Sequence, residues 1–186
     1  MKKMLTSSLV LIFLVTAVSP LVARQDPDGR RGPKGPSVVD VALAVNGEGP
    51  FAGMFDTLIA AVTAGGQEGV LAYLGANGQR TVFAPTDDAF AELGITPENV
   101  GNLDSEFLTD VLLYHVAKGR RYAEDVLDSS RIRMLDNGFV FPLIDDFGDP
   151  ALEDNEGRIS KILVTDVEAA NGIIHAIGGV LLPFAP

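Results

Sequence analysis

Residues 81–90 read TVFAPTDDAF, and the fold turns on them. Thr81-Val82-Phe83-Ala84 is short, β-branched and aromatic, as a buried strand should be, and Pro85, which has no N–H to donate, closes it. Thr86 then has the side chain of a helix cap. Asp87 and Asp88 fall in the first turn, where carboxylates meet the positive end of the helix dipole. Phe90 and Leu93 face inward, and Gly94 ends the helix.

Upstream, Ser37 precedes Val38, Val39, Val41, Ala42 and Val45 as a cap, which predicts a short helix ending near Asn46-Gly47. Phe51, Met54, Phe55, Leu58, Ile59 and Val62 recur at three- and four-residue spacing until Gly65-Gly66, a helical core stripe. Downstream, Thr96-Pro97 repeats the cap-then-proline start of a helix. Residues 104–117 predict a longer one, with Phe107, Leu108, Val111, Leu112 and His115 on or beside one stripe. After Gly119 the period changes. Residues 131–135 and 139–141 flank Asn137-Gly138, a pair suited to a tight hairpin turn, and residues 159–167 form another strand candidate. Asn171-Gly172 offers a second turn before residues 173–177, and Gly178-Gly179 precedes a last apolar strand over residues 180–182. Helices fill the first half and strands the second, so the class is α+β.

The chain has 186 residues, 47% of them apolar and 21% charged, enough to bury the core of one domain. With 14 Lys+Arg against 25 Asp+Glu the net charge is −11, which opposes binding to phosphate backbones and excludes nucleic acid as a partner class. There is no cysteine, so disulfides, thiolate nucleophiles and Cys-ligated zinc are all excluded.

Residues 1–23 open with Lys2 and Lys3, run through apolar residues 9–18 and reach Pro20 and Ala23, the pattern of a cleaved secretory leader. Retained, the same segment is the one route to a membrane. Losing the leader's two lysines leaves 12 basic residues against 25 acidic, a net of −13 for a secreted or periplasmic chain. Residues 24–36, with DPDGRRGPKGP at 26–36, have nothing to bury and predict a flexible tether. One domain over residues 37–184 follows.

Three stretches together resemble the fasciclin-like domain, an extracellular module. TVFAPTDDAF at 81–90 matches its first signature, Tyr114-His115 its Tyr-His motif at a helix end, and NGIIHAIGGVLLP at 171–183 its second signature, with Gly178 where the family commonly has Asp. The resemblance implies a wedge-shaped β-sandwich flanked by helices, secreted or surface-attached, acting in adhesion or matrix contacts without a cofactor. It implies partner contacts at Tyr114 and His115, with Asp166-Val167 standing where an Asp-Ile pair occurs in relatives. Thr81, Phe83, Pro85, Thr86, Asp87, Phe90, Asn171, Gly172 and His175 are signature positions whose roles the residue chemistry explains as mainly structural.

His115 and His175 are the two imidazoles, and catalysis would need one beside a hydroxyl and a carboxylate. The chain contains no G-x-S-x-G elbow, H-E-x-x-H, P-loop or dinucleotide fingerprint, so noncovalent contact is expected rather than an exported hydrolase. Both histidines and Tyr114 read first as hydrogen-bonded core residues. Carboxylates at Asp145, Asp146, Asp149, Glu153, Asp154 and Glu156 suggest calcium, but Phe147 and Gly148 break the ligand spacing, and a solvated acidic loop with irregular backbone is expected. A carrier of a small apolar or lipid-like ligand is the alternative function, recognisable by an enclosed apolar pocket.

Overall fold

Ser37 starts the first helix as its chemistry predicts. Its Oγ accepts from Asp40 N at 3.3 Å and the Asp40 carboxylate accepts from Ser37 N at 2.8 Å, a reciprocal cap for α1 (Val38–Gly47). The computed structural model describes residues 33–183, so the leader expected over 1–23 and most of the tether over 24–36 lie outside the described residues. Among the described residues no helix is long and apolar enough to cross a membrane. Helices α2 (Asp56–Thr63) and α3 (Glu68–Gly75) follow, then β1 (Arg80–Pro85), α4 (Asp87–Ala91), α5 (Ser105–Tyr114) and β2 (Val116–Lys118). The second half holds α6 (Ala123–Leu127), β3 (Ile132–Arg133), β4 (Phe139–Ile144), β5 (Pro150–Glu153), β6 (Ile159–Ala169) and β7 (Gly172–Ile177).

The strands form one seven-stranded sheet in the order β2-β1-β7-β6-β5-β4-β3. A bridge between Ala117 and Met134 joins its two edges, so the sheet curls into a near-barrel within an α+β fold. β1 and β7 run parallel, with Phe83 opposite His175, and every other pairing is antiparallel.

Burial divides between two cores. Phe83, Tyr114, Ile132, Val140, Leu152, Ile162 and Ile177 fill the inside of the curl. Val38, Phe55, Leu74, Leu108, Leu112, Ile174 and Ala176 pack where the helices cover its outer face. β1 and β7 are the central strands with a core on each side, which is why they read as nearly continuous apolar runs instead of alternating.

Several local expectations give way to tertiary structure. Thr96-Pro97 starts no α-helix: Asn99 folds back, its Oδ1 accepting from Thr96 N at 2.8 Å, and a single 3-10 turn follows over Val100–Asn102. Residues 180–182 are not a strand. Leu181 and Leu182 are buried, but their N–H groups bond to side chains rather than to a neighbouring strand. At Asn137-Gly138 only Asn137 takes the left-handed conformation, at φ 84°. Gly138 is needed for proximity, since a Cβ there would lie 2.7 Å from the Tyr114 ring.

The acidic stretch is not one solvated irregular loop. It is two tight turns around β5, in which Asp145 accepts from Phe147 N and Asp149 N, while Lys161 pairs with Asp145 and Asp149. Asp154 is buried.

Candidate functional site

Asp104 accepts from Glu106 N and Phe107 N to start α5, and the helix delivers Tyr114 and His115 as adjacent residues at its far end. Both side chains are interior, with Tyr114 fully buried and His115 3% exposed. The partner contact implied for them therefore cannot be made by their side chains in this fold. The Tyr114 hydroxyl donates to Phe139 O at 2.6 Å and accepts from Asn155 N at 3.0 Å, riveting α5 to β4 and to the turn after β5. Burial, which disfavours the phenolate, pushes its pKa up to about 12.

His115 makes the matching rivet to the C-terminal segment. Its Nδ1 lies 2.7 Å from Val111 O and its Nε2 accepts from Leu181 N at 3.0 Å, so the ring is neutral with the proton on Nδ1. Burial lowers its pKa to about 4, opposed in part by the Val111 carbonyl. The unfolded chain takes up this proton below about pH 6.5 and the folded chain only below about 4. The contribution is thus intact at neutral pH, falls away between those values, and totals on the order of 3 kcal/mol. Urea midpoints at pH 7 and pH 4.5 should differ more in the native chain than in His115→Gln, which has no imidazole at this position and keeps only that of His175.

Asp154, which the sequence groups only with the acidic residues around it, lies beside this rivet. Its carboxylate accepts from Glu156 N, Arg158 N, Leu182 N and Arg158 Nε, and Arg158 Nη2 reaches Leu182 O. A buried charge is tolerable here because each oxygen is hydrogen-bonded and one cation is adjacent.

His175 is fully buried and stacks on Phe83 with ring centroids 5.6 Å apart. Its Nδ1 accepts from Asp166 N at 3.3 Å and its Nε2 donates to Arg121 O at 3.0 Å, and burial lowers its pKa. Each imidazole thus has both nitrogens committed to backbone groups, and neither faces a hydroxyl nucleophile through these bonds. Asp166 sits at an irregularity of β6 with φ 61°, and its Oδ1 accepts from Ala123 N at 2.8 Å. Val167, half-buried, faces α1 and α2 across a wholly apolar cavity of about 30 Å³ that also touches Phe51, Phe55 and Ile174. That volume is close to one water molecule. Among the described residues no three His, Asp or Glu side chains are grouped to hold a metal.

The signature residues bond mostly across elements. Thr86 caps its own helix through Ala89 N, but Asp87 reaches outward, accepting from Thr57 N at 2.8 Å and Asp56 N at 3.2 Å to cap α2. Pro85 and Phe90 are buried. Asn171 is a three-way junction: Oδ1 accepts from Val38 N, while Nδ2 donates to Leu74 O and Ala76 O, each at 2.8 Å. Gly172 is required by contact rather than by turn conformation, since a Cβ there would strike the Arg80 carbonyl. Thr81 donates to Gly119 O and accepts from Arg121 N.

Nothing in the sequence pattern marks Arg80. It is 1% exposed and donates to Leu74 O, Ala76 O and Asn77 O, so its charge is met by the carbonyl end of α3 and by the Tyr73 ring at 4.7 Å.

Residues 53–183 match the Fasciclin domain family. Two proteins of the cyanobacterium Synechocystis are similar: protein sll1735, 34% identical over 79% of this chain and 98% of its own length, and protein sll1483, 33% identical over 69% and 67%. Transforming growth factor-beta-induced protein ig-h3 of Sus scrofa is 32% identical over 69% of this chain, which spans 18% of that larger protein. A solved FAS1 domain pair from the insect cell adhesion molecule fasciclin I superposes with a TM-score of 0.52 at 21% identity, over 67% of this chain and 43% of that one.

Proposed function

The chain belongs to the fasciclin domain family, and from that premise we propose that it is an exported interaction module that binds a cell-surface or matrix protein or polymer noncovalently, with no catalytic step and no cofactor. The observation that carries this reading is how the signature side chains are used. Asn171, Asp87, Thr81, His115 and His175 hold backbone groups of other elements in register, leaving the work to the surface they shape. Family members occur in adhesion proteins, the insect molecule among them.

In this reading residues 1–23 direct export, residues 24–36 are a tether and residues 37–184 are the domain. Tyr114, His115 and Val167 act from inside by packing and positioning, while Asp166 lies at the working face.

The test is retention of the purified exported chain on intact envelopes of its source cells. Saturable retention is expected, weakened several-fold in Asp166→Asn, which keeps an acceptor for Ala123 N and tolerates left-handed backbone. Absence of saturable retention, or turnover of a small substrate abolished by His175→Ala in folded protein, overturns it.

A further inference from the structure

Positive charge on this acidic chain is unevenly placed. Of the eight Lys and Arg between residues 37 and 183, five fall within residues 118–133: Lys118, Arg120, Arg121, Arg131 and Arg133. Among the described residues the ion pairs are made by Arg158 and Lys161. Four of the clustered five meet neutral groups instead, and Lys118 is exposed. Arg120 donates to Gln79 Oε1 and Ala169 O, Arg133 to Asn137 Oδ1, and Arg131 lies over the Phe139 ring. The Arg121 guanidinium makes one long bond, to Ser129 Oγ at 3.5 Å, and its Nε has no partner.

Three of these cations, Lys118, Arg120 and Arg121, line an open concavity of about 450 Å³ whose other wall carries Asp125, Asp128 and Ser129. Its floor is held from several directions. Thr81 bonds Gly119 O and Arg121 N, His175 bonds Arg121 O, and Asp166 bonds Ala123 N. The segment that presents the cations is therefore fixed by three buried or half-buried side chains before any ligand arrives, which lowers the ordering cost of binding.

We propose that this concavity binds an anionic polysaccharide, with a carboxylate or sulfate group on Lys118 and Arg121 and sugar hydroxyls on Asp125, Asp128 and Ser129. Guanidinium and ammonium donors bind such oxyanions through charge-assisted hydrogen bonds, and carboxylates accept from hydroxyl donors. A sugar acid presents both kinds of group within one or two residues. A nucleic acid or polyphosphate would set closely spaced charges against the two aspartates and a strongly acidic molecule, and the lining offers no aromatic ring for a base to stack on.

The proposal rests on the reading of the domain as a noncovalent interaction module and names the partner class. Its test is titration of the exported chain with polygalacturonate and dextran sulfate, with neutral dextran, a DNA oligomer and anionic phospholipid vesicles in parallel. Binding to at least one acidic polysaccharide is expected, weakened by added salt and about tenfold weaker in Lys118→Gln and in Arg121→Gln. Lys118 is exposed, so its variant answers the question if Arg121→Gln unfolds. Lys161→Gln changes the net charge equally but lies in an existing ion-pair cluster, and should bind as the native chain does.

Equal binding of neutral dextran, equal or tighter binding of DNA or vesicles, no loss in Lys118→Gln, or the same loss in Lys161→Gln each overturns the proposal. Retention on envelopes without polysaccharide binding also overturns it, while leaving the interaction module standing. Polysaccharide binding without envelope retention supports the site and overturns the wider reading.

Discussion

Asn171→Ala is expected to lower the unfolding free energy by roughly 2–5 kcal/mol. The side chain is 1% exposed and serves Val38 N, Leu74 O and Ala76 O at once. Truncation strands Val38 N where water has little access, at a cost of about 1–3 kcal/mol, and takes one of two donors from Leu74 O and Ala76 O, which keep the Arg80 guanidinium. Each of the two carbonyls loses one hydrogen bond but keeps a partner, which adds only about 0.5–1 kcal/mol apiece. Asn171→Asp should fare no better at neutral pH, because it retains the acceptor for Val38 N but sets a carboxylate against two carbonyls. Urea denaturation measures both, and a loss under about 1 kcal/mol in the Ala variant would show that the helices dock without this junction.

Tyr114→Ala should cost about 3–5 kcal/mol, since it removes a fully buried ring from the inner core and leaves Phe139 O and Asn155 N unpaired. Tyr114→Phe keeps the ring and should cost about 1–3 kcal/mol. The pair separates the two roles open to this position. With the side chain interior, folded Tyr114→Phe should be retained on envelopes as well as the native chain, and any deficit of Tyr114→Ala should follow its unfolded fraction. A folded Tyr114→Phe that is not retained would place the hydroxyl at the partner after all.

Much of the architecture is legible in the sequence. Ser37, Thr86 and Asp104 cap helices as local chemistry requires, and residues 81–85 form a strand ended by proline. Thr96-Pro97 carries the same start signal and fails, because Asn99 captures Thr96 N and no apolar stripe follows to repay helix nucleation by packing. Residues 180–182 have a strand's composition and Leu181 and Leu182 are fully buried, yet His115 and Asp154 take the N–H groups of these two leucines. Short apolar runs fix burial more reliably than pairing, since burial needs only the side chains while pairing needs a free neighbouring edge.

The site divides along the same line. Sequence by itself determined the family, the α+β class and the acidity of the chain, because these follow from residue type, spacing and local backbone preference. Tertiary structure alone decided that Asp87 caps a helix thirty residues upstream, that Asn171 joins two helix ends, that Tyr114 and His115 face inward, and that Lys118, Arg120 and Arg121 line one concavity. The crowding of cations over residues 118–133 is visible in the sequence, but their lack of acidic partners is not. Hydrogen bonding and charge pairing act over a few ångströms between groups tens of residues apart, and only the folded chain sets those distances.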